Sequence, residues 1–245
     1  MIARSEEDIN GLKEIGRIVR LILDEVESTV RPGITTLDLD RRVAEMLEQN
    51  GARSAPKLAY NFPGYSCISV GDEAAHGIPG DRILLEGQLV NVDVSAEKNG
   101  YWADSGRSIP VGDVPSELIH LCKTTRQALE AGLKAARAGN PINEIGKAVE
   151  NVALKGGFQI IEGLVGHGVG RNIHEPPEVH NKYLPNGRTL LQEGLVITIE
   201  PFLTSGQGHY REGNDGWTLH TLDGSPCAQF EHTLIITQNR PIIVT

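Results

Sequence analysis

The chain has 245 residues, of which 39% are hydrophobic, and this length suffices for one large domain or two small ones. Asp plus Glu total 32 against 23 Lys plus Arg, and basic residues form no long run, which disfavours nucleic acid as the main partner. No apolar stretch reaches the ~20 residues of a membrane span, and charged residues follow Met1 too soon for a signal peptide. The cysteines are odd in number and lack C-x-x-C spacing, which argues against disulfides and cysteine zinc sites. We therefore expect a soluble, cytoplasmic protein.

Four amphipathic helices are predicted from apolar residues that recur at helical spacing between start and stop signals. Ser5 is a typical helix start, and Pro32-Gly33 is a typical stop. The predicted helices run from Ser5 to Pro32-Gly33, from Thr35-Thr36 to Gly51, from Leu118 to Ala136, and from Ile145 to Val152.

The order of a long helix, a glycine stop and a short helix occurs twice, and other segments repeat with it. The matched pairs are residues 31–51 with 137–157, 86–93 with 193–200, and 76–79 with 174–177, at offsets of 106, 107 and 98 residues. Three matches in the same order predict a duplicated αβ half.

The duplication predicts one α+β domain over residues 1–245. Its halves cover approximately residues 1–110 and 116–245, with the seam at Pro110 to Pro115. Two such halves normally pack about a pseudo-twofold axis, and equivalent strands then turn their polar faces towards a common central groove.

Two acids lie on a predicted hairpin in the first half. Asn99-Gly100 is a strong signal for a two-residue turn. That turn pairs Ser95 with Asp104, so Asp93 and Asp104 become diagonal neighbours on one face, roughly 7–8 Å apart at the backbone. They could share an ion, or they could be solvent-facing acids of an edge hairpin.

The second half contributes two more acids and a histidine. Glu200 takes the place of Asp93 in the repeat, and Glu231 lies within a predicted apolar strand over residues 228–236. Four acids in one groove are costly unless compensated, and two divalent cations about 3.5–4 Å apart would compensate them. His167, between glycines, offers a nitrogen ligand that suits Mn, Fe, Co or Zn better than Ca or Mg. The alternatives are strand-edge charges and an ordinary loop histidine.

His76 and His174 are a symmetric pair, each followed by a proline-containing turn. Their positions in the repeat would place them beside the groove, where they could donate hydrogen bonds. Alternatively, they could simply stabilise their turns.

These residues, in this order and spacing, resemble the methionine aminopeptidases of the pita-bread (creatinase/aminopeptidase) fold. The motifs that carry the resemblance are His76-Gly77-Ile78-Pro79, Val90-Asn91-Val92-Asp93-Val94, Gly166-His167-Gly168-Val169-Gly170, Ile199-Glu200-Pro201 and Gln229-Phe230-Glu231-His232-Thr233. The resemblance covers nearly the whole chain. The short segment between Glu200 and Glu231 and the lack of a long N-terminal extension indicate the bacterial type I class.

The resemblance implies an α+β fold of two pseudo-twofold-related halves around a curved antiparallel sheet, and a centre with two divalent metal ions. The implied metal ligands are Asp93, Asp104, His167, Glu200 and Glu231. Among them, Asp104 and Glu231 would bridge the ions, Asp93 would hold one of them, and His167 with Glu200 would hold the other.

The implied activity is removal of the N-terminal methionine from peptides and nascent proteins with a small second residue, by attack of a metal-bridging hydroxide on the first peptide bond. Glu200 would accept the proton of the nucleophile. His174 would stabilise the oxyanion, and His76 would donate to the scissile amide or its carbonyl. We expect a monomer that works close to the ribosome.

The methionine pocket is predicted on the same basis. Phe62, Cys67 and Trp217 stand near the pocket positions of the family, with Tyr60 and Tyr65 close by. A plain core position is the alternative for Trp217.

Two other functions compete with this interpretation. Prolidases and Xaa-Pro aminopeptidases share the fold and the metal set, but they are longer chains with a separate N-terminal domain. A metal-free peptide-binding module is the second alternative, and the filled ligand positions argue against it.

Overall fold

The computed structural model describes all residues from 1 to 245 as an α+β protein with five α-helices and fifteen β-strands. The helices are α1 (Glu6–Thr29), α2 (Thr36–Gln49), α3 (Ala55–Tyr60), α4 (Ser116–Ala135) and α5 (Asn143–Lys155). The strands of the first half of the chain are β1 (Arg53–Ser54), β2 (Cys67–Val70), β3 (Glu73–Ala75), β4 (Leu89–Lys98) and β5 (Tyr101–Pro110). Those that follow are β6 (Gln159–Ile160), β7 (Gly166–Gly168), β8 (Glu175–Val179), β9 (Val196–Ile199), β10 (Phe202–Thr204), β11 (Tyr210–Glu212), β12 (Leu219–Thr221), β13 (Cys227–Gln229), β14 (His232–Ile235) and β15 (Ile242–Ile243). No helix combines the length and the apolar character that a membrane span requires.

The four predicted helices are confirmed, and the first two begin with side-chain caps. Ser5 caps α1 by accepting the backbone N–H of Asp8 at 3.1 Å. Thr35 and Asp38 cap α2 reciprocally, which satisfies two backbone donors. The short helix α3 was not predicted, and it also begins with a side-chain cap, from Ser54.

The long hairpin of β4 and β5 forms with the predicted register. Lys98 pairs with Tyr101 and Ser95 pairs with Asp104. The turn is possible because Asn99 and Gly100 both adopt positive φ angles, of 53° and 79°. The apolar face of α1 packs against this hairpin in the largest hydrophobic cluster of the protein.

The strands form four sheets, and every pair within them is antiparallel. The strand orders are β1-β4-β2 with β5 on β4, β13-β10-β6, β11-β12-β3, and β15-β14-β9-β7-β8. The helix order long then short recurs, with α1 and α2 of 24 and 14 residues and α4 and α5 of 20 and 13. The division into two duplicated halves stays a prediction from the sequence repeat.

The single strand predicted over residues 228–236 is wrong. The chain instead changes sheet at Phe230 and Glu231, because β13 pairs with β10 whereas β14 pairs with β9. Between them, the backbone N–H of Glu231 donates to the carbonyl of Gly106 on β5, at 2.9 Å. The change of sheet therefore brings Glu231 against the hairpin that carries Asp93 and Asp104.

Candidate metal centre

A cavity of about 410 Å³ brings together ten of the twelve side chains that the sequence predicts for the site. These ten are Tyr60, Phe62, Cys67, His76, Asp93, Asp104, His167, His174, Glu200 and Trp217. Of the remaining two, Glu231 is buried with one carboxylate oxygen close to Asp104 and His167, and Tyr65 lies outside the cavity with its ring under the Lys57 ammonium, 4.4 Å from the ring centre.

The acids come from three separate segments. Asp93 and Asp104 are diagonal neighbours on the hairpin, as predicted, since Asp93 pairs with Gly106 and Asp104 with Ser95. Glu200 directly follows β9, and Glu231 lies in the gap between β13 and β14.

His167 lies on β7, between β9 and β8 of the five-stranded sheet, and completes the group. One ligand atom each of Asp104, His167 and Glu231 lie within 4.8 Å of one another. Nε2 of His167 is 3.4 Å from Oε1 of Glu200 and 3.8 Å from Oδ2 of Asp104. These distances allow Asp104, His167 and Glu231 to contact a common ion, with Glu200 adjacent to His167.

Two atoms of this group are buried without any hydrogen-bond partner. They are Oδ1 of Asp104 and Oε1 of Glu231, and no other buried side-chain nitrogen or oxygen in the protein is left so. A buried unpaired carboxylate oxygen costs free energy that a bound cation would recover. The donor set therefore fits a divalent metal.

Burial dominates the electrostatics of the group. It raises the pKa of Asp93 to about 6, and it raises the pKa values of Asp104, Glu200 and Glu231 well above the usual range, where repulsion between the carboxylates adds to the effect. Without a cation, these acids resist losing their protons. A bound cation would reverse this preference, because it stabilises the ionised form.

His167 is held ready to act as a neutral ligand. Burial, helped by the neighbouring His174, lowers its pKa to about 3. Nδ1 lies 2.9 Å from the carbonyl oxygen of Gly168, so this nitrogen carries the proton and donates it. The lone pair of Nε2 then points towards the carboxylates, which is the arrangement of a metal-binding histidine.

Thr198 supports both Glu200 and His167, and the sequence analysis missed it. Its hydroxyl donates to Oε1 of Glu200 at 3.1 Å and accepts the backbone N–H of His167 at 3.0 Å. The available signal was its position on the same strand face as Glu200, two residues earlier.

His76 and His174 both line the cavity. His76 has a φ of +57°, and a Cβ on the following Gly77 would lie 2.3 Å from the carbonyl oxygen of Ile68. The ring of His174 stands edge-on to that of His167, with the ring centres 4.3 Å apart. Desolvation lowers the pKa values of His76 and His174, and the nearby His76 lowers that of His174 further.

The sequence pattern of metallopeptidase family M24 matches residues 10–238. The chain belongs to this family. The methionine aminopeptidase 2 of Bacillus subtilis (strain 168) is 44% identical over 247 residues, which cover 100% of this chain and 99% of that protein.

Solved structures agree with this assignment. The methionine aminopeptidase from Rickettsia prowazekii superposes with a TM-score of 0.96 at 33% identity, covering 100% of both chains. The prolidase from Pyrococcus furiosus shares the fold, with a TM-score of 0.80 at 23% identity, and this chain covers 65% of it. The predicted resemblance to methionine aminopeptidases and the α+β pita-bread fold class are thereby confirmed. As a metallopeptidase, the chain is a hydrolase that uses a divalent metal, which agrees with the cluster of acids and His167.

The apolar end of the cavity in this M24 chain contains the predicted aromatic residues. Phe62 and Trp217 pack edge to face, with their ring centres 5.1 Å apart. Trp217 is half-buried and lines the cavity, so it is not a plain core residue. Cys67 pairs in register with Asp93, and burial followed by the charge of Asp93 raises its thiol pKa well above the usual value.

Other apolar residues of the cavity wall were not among the predicted site residues. They are Pro56, Ala75, Leu164, Val165, Ile173 and Phe202. Phe202 could have been found by strand periodicity, because it follows Glu200 by two residues. Ala75, Val165 and Ile173 lie one or two residues before the cavity histidines, whereas Pro56 gives no such signal in the sequence.

Proposed function

We propose that this chain removes the N-terminal methionine from peptides and nascent proteins whose second residue is small. The observation that carries the proposal is the group of buried acids with His167, in which Asp104 and Glu231 each retain an unpartnered oxygen beside an apolar cavity. The activity named for relatives at 44% and 43% identity supports the same substrate class.

Two divalent ions, drawn from Co, Mn, Fe or Zn, fit the proposed ligand set of Asp93, Asp104, His167, Glu200 and Glu231. Four carboxylates and one neutral imidazole are a typical donor set for such ions. When bound, divalent cations polarise the scissile carbonyl and supply a nucleophile near neutral pH.

The side chains of the cavity supply the proton transfers and the hydrogen bonds. Glu200 is suited to accept a proton, because its carboxylate faces the cavity among the proposed metal ligands and is oriented by the Thr198 hydroxyl, which donates to its Oε1 at 3.1 Å. Neutral His174 and His76 are suited to donate hydrogen bonds to the substrate carbonyl and amide, because desolvation lowers their pKa values.

The methionine side chain is proposed to lie between Phe62, Trp217 and Cys67. Aromatic rings and a thiol form an apolar, polarisable surface that suits a thioether. Tyr65 does not contribute to this surface, because its ring lies outside the cavity.

The remaining expectations concern the setting of the enzyme. A monomer that acts in the cytoplasm on nascent chains near the ribosome stays a prediction. Sedimentation and ribosome pelleting would test it.

The deciding experiment compares three peptides on the Mn²⁺-loaded protein. Met-Ala-Ser should be cleaved, and Ala-Pro should not, whereas a prolidase gives the reverse result. Met-Phe-Ser should show a kcat/KM at least about tenfold lower, since a narrow groove penalises the larger side chain. Cleavage should disappear after chelation and return with added metal, and activity that survives chelation would contradict the proposal.

A further inference from the structure

A pair of buried side-chain amides lies directly behind the metal centre. Nδ2 of Asn91 donates to Oε1 of Gln229 at 2.8 Å, and Nε2 of Gln229 donates to Oε2 of Glu231 at 3.1 Å. Asn91 is 9% exposed and Gln229 is 1% exposed. Since Oε1 of Glu231 has no partner, the two oxygens of this carboxylate differ: one is held by an amide and one is free to bind an ion.

The direction of these hydrogen bonds is determined by chemistry. With a cation bound, the Glu231 carboxylate is ionised and only accepts, so the end of the Gln229 amide that meets it must be the NH₂ group. The carbonyl end then faces Asn91, whose Nδ2 donates to it. The order Asn91 to Gln229 to Glu231 is therefore internally consistent, because each of its two hydrogen bonds runs from an amide N–H to an oxygen acceptor.

The first-half hairpin holds Gln229 at its backbone as well. Ser108 accepts the backbone N–H of Gln229 at 2.9 Å and donates to its carbonyl at 3.2 Å. Asn91 and Ser108 are register partners on β4 and β5. Both strands of the hairpin thus fix the residue that contacts Glu231.

Gly106 provides the space for this amide. A Cβ at that position would lie 2.3 Å from Oε1 of Gln229, closer than real Cβ contacts allow. The carbonyl of Gly106 also accepts the backbone N–H of Glu231 at 2.9 Å. Gly106 therefore admits the Gln229 side chain and anchors the Glu231 backbone.

We propose that Gln229 is a positioning residue of the metal centre, whose amide orients the Glu231 carboxylate so that Oε1 is presented to the ion before it binds. The inference rests on the proposed role of Glu231 as a metal ligand. The terminal torsion of a free glutamate is broad, so a cation must otherwise order it. Partners that orient a ligand in this way commonly contribute 10- to 100-fold to metal affinity.

The test is calorimetric titration of the metal-free protein with Mn²⁺. Gln229→Met keeps the side-chain length and removes the donor, and it should raise the dissociation constant about tenfold or more. Gln207→Met is the matched control, because Gln207 is exposed and lies away from the centre, and its affinity should equal that of the wild type. Thermal unfolding of the metal-free proteins checks that the Gln229 variant is folded. A folded Gln229→Met protein with an affinity within about twofold of wild type overturns the inference.

A second variant at the same position tests the inference if Gln229→Met does not fold. Gln229→Glu preserves the shape but loses the NH₂ donor, and it should weaken Mn²⁺ binding in the same direction. Asn91→Leu should weaken binding less, and the Asn91→Leu, Gln229→Met double variant should be no weaker than Gln229→Met alone. Additive effects would overturn the proposed route through Gln229.

The controls separate the two proposals. Wild-type protein that neither binds Mn²⁺ nor cleaves Met-Ala-Ser refutes the proposed function, and the inference with it. Wild-type protein that does both, with unchanged affinity in the Gln229 variants, refutes only the positioning role.

Discussion

Tyr60 is expected to determine which ring nitrogen of His174 carries the proton. Its hydroxyl lies 2.5 Å from Nδ1 of His174. Because burial and His76 lower the pKa of His174, the ring is neutral near pH 7. A hydroxyl that donates to Nδ1 favours the tautomer with its proton on Nε2, which is then available to stabilise developing negative charge. Tyr60→Phe removes the hydroxyl and leaves the ring, so it tests this contact alone.

The structure limits the size of the effect. The Tyr60 side chain is 46% exposed, so the bond competes with water and a net value of about 0.5–1.5 kcal/mol applies. At about 1.4 kcal/mol per factor of ten, Tyr60→Phe should lower kcat roughly two- to tenfold. KM should change little, since the proposed effect is on the transition state.

The assay is steady-state cleavage of Met-Ala-Ser, with metal content measured on the same samples. Tyr183→Phe is the control, because Tyr183 is similarly exposed at 42% and does not line the cavity. An unchanged kcat in Tyr60→Phe would refute the reasoning. A fall in kcat that parallels a loss of bound metal would also refute it, because the effect would then be structural.

Three further experiments, with four variants, test the remaining parts of the site. Calorimetric titration of the wild-type protein with Mn²⁺ should resolve two sites of unequal affinity. Asp104→Asn should weaken both sites, and Asp93→Asn should spare the tighter one. A single binding step in the wild-type protein would contradict the proposal of two ions. His174→Ala should lower kcat by about 10²-fold, as when an oxyanion donor is lost, with metal content near normal by elemental analysis; lost metal would make His174 a ligand instead. Trp217→Ala should erode the preference for Met over Leu in kcat/KM by about 1–3 kcal/mol without loss of metal, because the ring packs on Phe62 at the apolar end of the cavity; an unchanged preference would place the methionine pocket elsewhere.

The parts of the structure that the sequence could predict are those determined by local chemistry. Asn99 and Gly100 tolerate positive φ angles, so a two-residue turn sets the register of the hairpin. Side-chain alternation along the strands then places Asp93 and Asp104 on one face. The helices could be predicted in the same way, because Ser5 caps the first helix through a hydrogen bond to Asp8, three residues along the chain.

The parts that the sequence could not predict depend on distant partners. Residues 228–236 have the pattern of one strand, yet the backbone of Glu231 bonds to Gly106 on β5. Tyr65 was placed in the pocket because it lies near Phe62 in the sequence. The chain, however, turns at Asn61, which caps α3 with a φ of 56°, and it carries Phe62 to the cavity and Tyr65 away from it.

The two bonds that tie Asp104 to Thr233 have a consequence for synthesis of the protein. The backbone N–H of Asp104 donates to Thr233 Oγ1 at 2.9 Å, and the Thr233 hydroxyl donates to the Asp104 carbonyl at 2.8 Å, across 129 residues of chain. Contacts between such distant segments close large loops, and they form late in folding. On the ribosome, the hairpin with Asp93 and Asp104 emerges long before β14 is translated. Each growing copy of this chain therefore carries an incomplete metal centre until Thr233 has left the exit tunnel.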